Sequence, residues 1–153
     1  MPFPAFDYCI ICEGIRPEVG GKLTILGFYG VCPNVEVAIA NPSQSLMLAF
    51  IAGFPPVLDQ SALYQNTISI LRPNGTPVFQ TPQQQLRVSA VGRGIVGSNF
   101  VIKPPYVWGD HIIQIHVNRE VKLAATFRVR QASTAELSGL PGALIPPPAG
   151  MTN

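Results

Sequence analysis

The sequence predicts an all-β protein, an immunoglobulin-like or related antiparallel β-sandwich of about eight strands followed by an irregular C-terminal arm. Three observations carry this expectation. Sixteen prolines and fourteen glycines break the chain into short segments. The segments between them are rich in β-branched and aromatic residues. Helical periodicity is almost absent. Proline removes a ladder donor and breaks helix interiors, so its positions mark where elements stop.

In chain order the strand-like runs are FDYCIIC (6–12), KLTILGFYG (22–30), SLMLAFIA (45–52), YQNTISIL (64–71), QLRVSAV (85–91), IVGSNFVI (95–102), HIIQIHV (111–117) and EVKLAATFRVR (120–130). The last alternates most clearly. Val121, Leu123, Ala125, Phe127 and Val129 share one face, and Lys122, Ala124, Thr126, Arg128 and Arg130 the other. Asn118-Arg119 separates it from HIIQIHV, the length of a tight hairpin turn whose first residue tolerates positive φ. RPNGTP (72–77) reads as a second turn around Asn74-Gly75. VLDQSALY (57–64) has the spacing of a helix of two turns at most. Ser133 to Glu136 matches a capping box opening a single turn. The division expected is a sandwich over 1–131 and a Pro/Gly-rich arm over 132–153. In that arm Leu137, Leu140, Leu144 and Ile145, with Pro146-Pro147-Pro148 behind them, predict an extended segment laid on a surface.

The composition narrows the function. Hydrophobic residues make up 47% and charged residues 12%, against a usual charged share of about 25%. Mean hydropathy is +0.29. Disordered chains have the opposite bias, and no apolar run reaches the ~20 residues of a spanning helix. A surface so poor in charge points to uncharged polar cover or to burial against a partner. The net charge of +2 is divided unevenly: residues 1–60 have two basic and five acidic groups, and residues 61–153 eight and three. MPFPAFDYC lacks the basic and apolar stretches of a secretory signal, and three cysteines cannot all pair within the chain, so a cytoplasmic location with free thiols is expected, alone or in a particle assembled there.

Each motif with a chemical association has a plainer reading. GRGIVG (92–97) has G-x-G-x-x-G spacing, but SNFVIKPP follows where a dinucleotide fold needs a helix, so it reads as a hairpin turn with glycines at positive φ. Cys9 and Cys12, spaced C-x-x-C, fall on opposite faces of a strand and read as buried structural thiols. His111 and His116 also fall on opposite faces. Carboxylates are scattered, so no catalytic, cofactor-binding or metal-ligating residue is nominated. Lys122, Arg128 and Arg130 share a strand face without stacking aromatics and read as a solvated face. Tyr106 and Trp108, beside Pro104-Pro105, cap the core end or anchor a partner.

CEGIRPEVGGKLTILGFYG (12–30) has the most distinctive pattern. Cys12-Glu13, Arg16, Gly21-Lys22 and Ile25-Leu26-Gly27-Phe28-Tyr29, with ILRPNG (70–75) and a closing hairpin over 108–129, resemble an uncharacterised bacterial domain-of-unknown-function family. Gly109-Asp110-His111 departs from the family's glycine-x-tyrosine. The resemblance implies an immunoglobulin-like or related sandwich and no activity. Glu13 and Arg16 flank the first turn and are placed to pair across it.

These observations predict a non-enzymatic sandwich that works by association, as a homo-oligomer or as a component of a larger assembly. Its expected partners are itself or another assembly protein, with no nucleic acid, membrane or cofactor. Partner contacts are assigned to Tyr106, Trp108, Leu140, Leu144 and Ile145. The alternative is a small-ligand or metal-binding enzyme with its site at one end of the sandwich, near Trp108 to His111.

Overall fold

The structure, a computed structural model, describes residues 3–20 and 22–138. Ten strands form two sheets: β1 (Tyr8–Pro17), β2 (Leu23–Val31), β3 (Glu36–Ile39), β4 (Leu46–Phe54), β5 (Gln65–Leu71), β6 (Pro77–Gln80), β7 (Gln84–Gln85), β8 (Gly94–Ile102), β9 (Gly109–Val117) and β10 (Glu120–Gln131). One sheet runs β2-β1-β4-β8 and the other β3-β10-β9-β5-β6, with β7 also on β5. The all-β sandwich is therefore as expected. One pairing departs from an antiparallel scheme, because β3 lies parallel to β10, with Val37 opposite Val129.

The core between the sheets follows from strand alternation. In β5 the even-numbered Asn66, Ile68 and Ile70 are buried and the odd-numbered Gln65, Thr67 and Ser69 face outward. Ile113, Ile115 and Val117 of β9 alternate in the same way. Phe100 joins Phe50, Phe79 and Phe127, with ring centroids 6.1 to 6.5 Å apart. A second aromatic group closes one end, where Phe3 lies 5.0 Å from Phe54 and 5.3 Å from Tyr64. β4 is apolar on both faces: Leu48, Phe50, Ala52 and Phe54 enter the core, and on the other face Ala49 and Ile51 are buried while Met47 is exposed. Gly53 leaves room for the Tyr8 ring, which occupies the space of a Cβ there. Edge strand β2 exposes Leu26 and Phe28 to solvent.

Several local expectations are corrected. Of QLRVSAV only Gln85 is in a strand, the end of β7, after which the Leu86 N–H donates to the Tyr64 carbonyl and the ladder ends. Residues 57–64 form no helix, because the Asp59 carboxylate accepts from the Ser61 N–H at 3.1 Å and its hydroxyl at 2.6 Å, closing a turn instead. In β10 a bulge between Val121 and Leu123 breaks the alternation, leaving Val121 exposed and Lys122 half-buried. Arg16 pairs with Glu18 at 2.7 Å rather than with Glu13. The glycines of GRGIVG are not held at positive φ. Gly94 begins β8 and Gly97 lies within it, and both serve close approach.

The capping box does form. Ser133 Oγ accepts from the Glu136 N–H, and the Glu136 carboxylate accepts from the Ser133 N–H at 3.1 Å. It opens the five-residue helix α1 (Thr134–Ser138). Arg130 and the Ser133 donors hold the Glu136 carboxyl down to about 2. The rest of the arm, with Leu140, Leu144 and Ile145, lies outside the described residues.

Candidate functional site

On the outer face of the six-stranded sheet, β5 presents uncharged polar side chains. Gln65, Thr67 and Ser69 of β5 line a groove of about 280 Å³ with Gln83, His116 of β9 and Arg119 of the β9–β10 turn. Thr67 stands directly opposite His116, and Ser69 opposite Gln114. The same alternation that sends Ile68 and Ile70 into the core therefore sends these groups outward together.

Arg119 is held in place by its neighbour. Asn118 and Arg119 have φ of 50° and 71°, the primed turn that matches strand twist. Asn118 Oδ1 accepts from the Gln65 N–H at 3.0 Å, and the Asn118 N–H donates to the Gln65 carbonyl at 2.9 Å. Asn118 Nδ2 donates to the Leu63 carbonyl at 3.3 Å. The turn is thus stitched to β5, beside the groove. Glycine is the favoured second residue of such a turn, and an L-residue in this region costs roughly 1–2 kcal/mol. An arginine in that position is a local cost that the turn itself does not require.

The cations on the strands of this sheet are paired within the chain. Arg128 meets Asp110 at 3.1 Å, Lys122 meets Glu120 at 3.0 Å, and Arg130 meets Glu36 and Glu136 at 3.1 and 2.6 Å. Reading Lys122, Arg128 and Arg130 as a single solvated face misses these pairs and the bulge that separates Lys122. Arg119 has no ion pair or hydrogen bond among the described residues. The Asn118-Arg119 turn was legible in the sequence, and the signal overlooked there was an arginine in the glycine position.

Tyr106 and Trp108 stack at 5.3 Å with planes 13° apart. The Tyr106 hydroxyl donates to the Gln44 carbonyl, and Trp108 is partly exposed. His111, the centre of the alternative site, is fully buried, stacked on Phe127 at 5.3 Å, with Nδ1 3.2 Å from the Gly109 carbonyl. Asp110 is engaged by Arg128. Tyr106, Trp108 and His111 do not meet in an open pocket, and among the described residues no group of three His, Cys, Asp or Glu side chains converges on one point.

Burial lowers the His111 pKa from its ordinary value. The unfolded chain then takes up a proton before the folded chain does. Stability is full above the unfolded pKa of about 6.5 and falls as pH drops from there toward the folded value. Melts between pH 7 and 5 are expected to show a falling Tm, and His111→Leu to flatten this part of the profile. An equal slope in the variant would show that other groups cause it.

Fold and groove together define a β-sandwich with one preorganised polar face. No protein-family model matches the chain, and no curated protein does. Among solved structures it is similar to Pseudomonas fluorescens alkylpurine DNA glycosylase AlkC bound to DNA containing an abasic site analog. The TM-score is 0.40 and the identity 17%, over 64% of this chain and 28% of that one. This chain thus spans under a third of that protein, and no residue or activity is carried over from it.

Two expectations run against this finding, since the neighbour is a DNA-bound enzyme. One is a non-enzymatic sandwich acting through association, as a homo-oligomer or assembly component. The other is partners limited to itself or another assembly protein, with no nucleic acid. Association was expected from low charge, an apolar arm and scattered carboxylates, and the absence of nucleic acid from basic groups without stacking aromatics; Gln65, Thr67 and Ser69 on the outer face of β5 give part of the charge deficit an outlet without a partner. Among the described residues no helix is long and apolar enough to cross a membrane.

Proposed function

We propose that this chain is a binding module for phosphate-bearing ligands, foremost the sugar-phosphate backbone of nucleic acid, held in the groove around Arg119. The single observation that carries the reading is Arg119 itself: a guanidinium without an ion pair among the described residues, carried beside neutral polar groups by a strained turn. Arginine gives phosphate two parallel donors. Gln65, Gln83, Thr67, Ser69 and His116 supply further hydrogen-bonding groups without a competing carboxylate in the groove. The groove has no Phe, Tyr or Trp among the described residues. Contact would therefore be with backbone phosphates rather than stacked bases, giving weak sequence preference and strong salt dependence. The domain-of-unknown-function resemblance supports an immunoglobulin-like description of the sandwich, and the free thiols support a cytoplasmic setting.

Arg119→Gly tests this with two readouts of opposite sign. The variant is expected to be more stable by about 1 kcal/mol, because strain at the turn is relieved. For a chain of this size that raises Tm by roughly 2–4 °C. Affinity for a fluorescent oligonucleotide at low salt is expected to fall roughly tenfold or more, with the salt slope reduced by about 1. A stabilised variant that binds as the parent does, or a parent that does not bind at low salt, overturns the proposal.

A further inference from the structure

Cys9 and Cys32 form a pair that their sequence positions do not advertise. Ile11 stands opposite Gly30 and Ile10 opposite Val31 in the β1–β2 ladder. One step further along the same register sets Cys32 opposite Cys9, and the Cys32 N–H donates to the Cys9 carbonyl at 2.8 Å. Hydrogen-bonded antiparallel pairs have Cα atoms about 5.5 Å apart, within the usual disulfide span of roughly 4.4–6.8 Å. Both residues line one cavity of about 210 Å³, with Phe6, Tyr8, Pro33 and Thr126 among its walls. Cys9 is buried there and Cys32 is only partly so. Cys12 does not line this cavity. It is fully buried, and its Sγ lies 3.7 Å from the Ala49 carbonyl.

We propose that Cys9 and Cys32 are a peroxide-responsive dithiol, with Cys32 the sulfur that meets the oxidant and Cys9 the sulfur that resolves it. Their proximity favours these roles: beside Cys32 the Cys9 thiol is pushed up, and beside Cys9 the Cys32 thiol is lowered. The Cys32 thiolate attacks one oxygen of hydrogen peroxide. The O–O bond breaks, Cys32 is oxidised to the sulfenic acid, and the departing hydroxide takes a proton to become water. Cys9 then loses its proton and attacks the Cys32 sulfur. The S–O bond breaks, the S–S bond forms, and the hydroxyl leaves with that proton as a second water. Two thiols and one peroxide thus give one disulfide and two waters.

The test is mass spectrometry of the full chain after dilute hydrogen peroxide. Two of the three thiols should disappear, the intact mass should fall by two hydrogens, and a Cys9–Cys32 linked peptide should appear that dithiothreitol removes. Cys9→Ser should accumulate a Cys32 sulfenic acid captured by a 1,3-dione probe, and Cys32→Ser should leave Cys9 reduced at the same dose. The parent measurement stands whether or not either variant folds. Survival of all three thiols, a link through Cys12, a link between two chains, or Cys32 passing to sulfinic acid without linking overturns the proposal.

Discussion

Phe127→Ala is expected to cost about 3–5 kcal/mol, the range for truncating a buried phenylalanine. Phe127 is fully buried and joins three parts of the core. Its ring lies 6.1 Å from Phe100 across the sandwich and 5.3 Å from His111 on the neighbouring strand, and its strand also carries the parallel pairing to β3. The cavity would be walled by strands on both sides, so little collapse is available to fill it. The loss also leaves the buried His111 ring without its stacking partner. Urea denaturation at neutral pH measures the change, and an unaltered slope with a lower midpoint identifies it as stability alone. A loss below about 1.5 kcal/mol, the cost of a mild volume-conserving swap, would mean that this part of the core is loosely packed.

Gly94→Ala is expected to cost about 1–3 kcal/mol, the cost of overpacking, and Gly92→Ala almost nothing. A Cβ at Gly94 would fall on the Phe54 ring, which is itself buried and held by Phe3 and Phe6. A Cβ at Gly97 would come 2.8 Å from the Phe50 carbonyl oxygen, a contact that only a backbone shift relieves. At Gly92 the nearest atom is Ser89 Oγ at 3.6 Å, ordinary contact. Graded costs within one G-x-G-x-x-G stretch are what sheet packing requires, whereas a phosphate loop would place its demands on backbone approach to a ligand. Thermal melts of the three alanine variants provide the comparison. Equal stability of Gly92→Ala and Gly94→Ala would contradict it.

Much of this fold is legible from residue patterns, for reasons that particular strands make clear. The alternation in β5 and β9 is visible because each has one face in the core and one in water. β4 shows only as an apolar run because its outward-facing Met47, Ala49 and Ile51 are apolar like its core residues. The bulge at Val121 and Leu123 is invisible to a period-2 reading, since two residues oppose one only once the partner strand is in place. β3 and β6 are four-residue strands whose pairing is set by β10 and β5 rather than by their own composition. The candidate site was half legible. Asn118-Arg119 is recognisable as a tight turn, but its link to β5 through Asn118 and the gathering of Gln65, Thr67, Ser69, Gln83 and His116 are products of sheet order. Partner neutralisation of Arg128 and Arg130 is equally hidden, because Glu36 is brought to Arg130 by the parallel pairing.

Backbone amide shifts recorded while a short oligonucleotide is titrated into the protein at low salt test the phosphate-binding groove most directly. The groove predicts progressive shifts concentrated at Gln65, Thr67, Ser69, Gln83, His116 and Arg119, reversed by added salt, with the four-stranded sheet unmoved. No shifts at these residues, or shifts confined to β2, β1, β4 and β8, would contradict it.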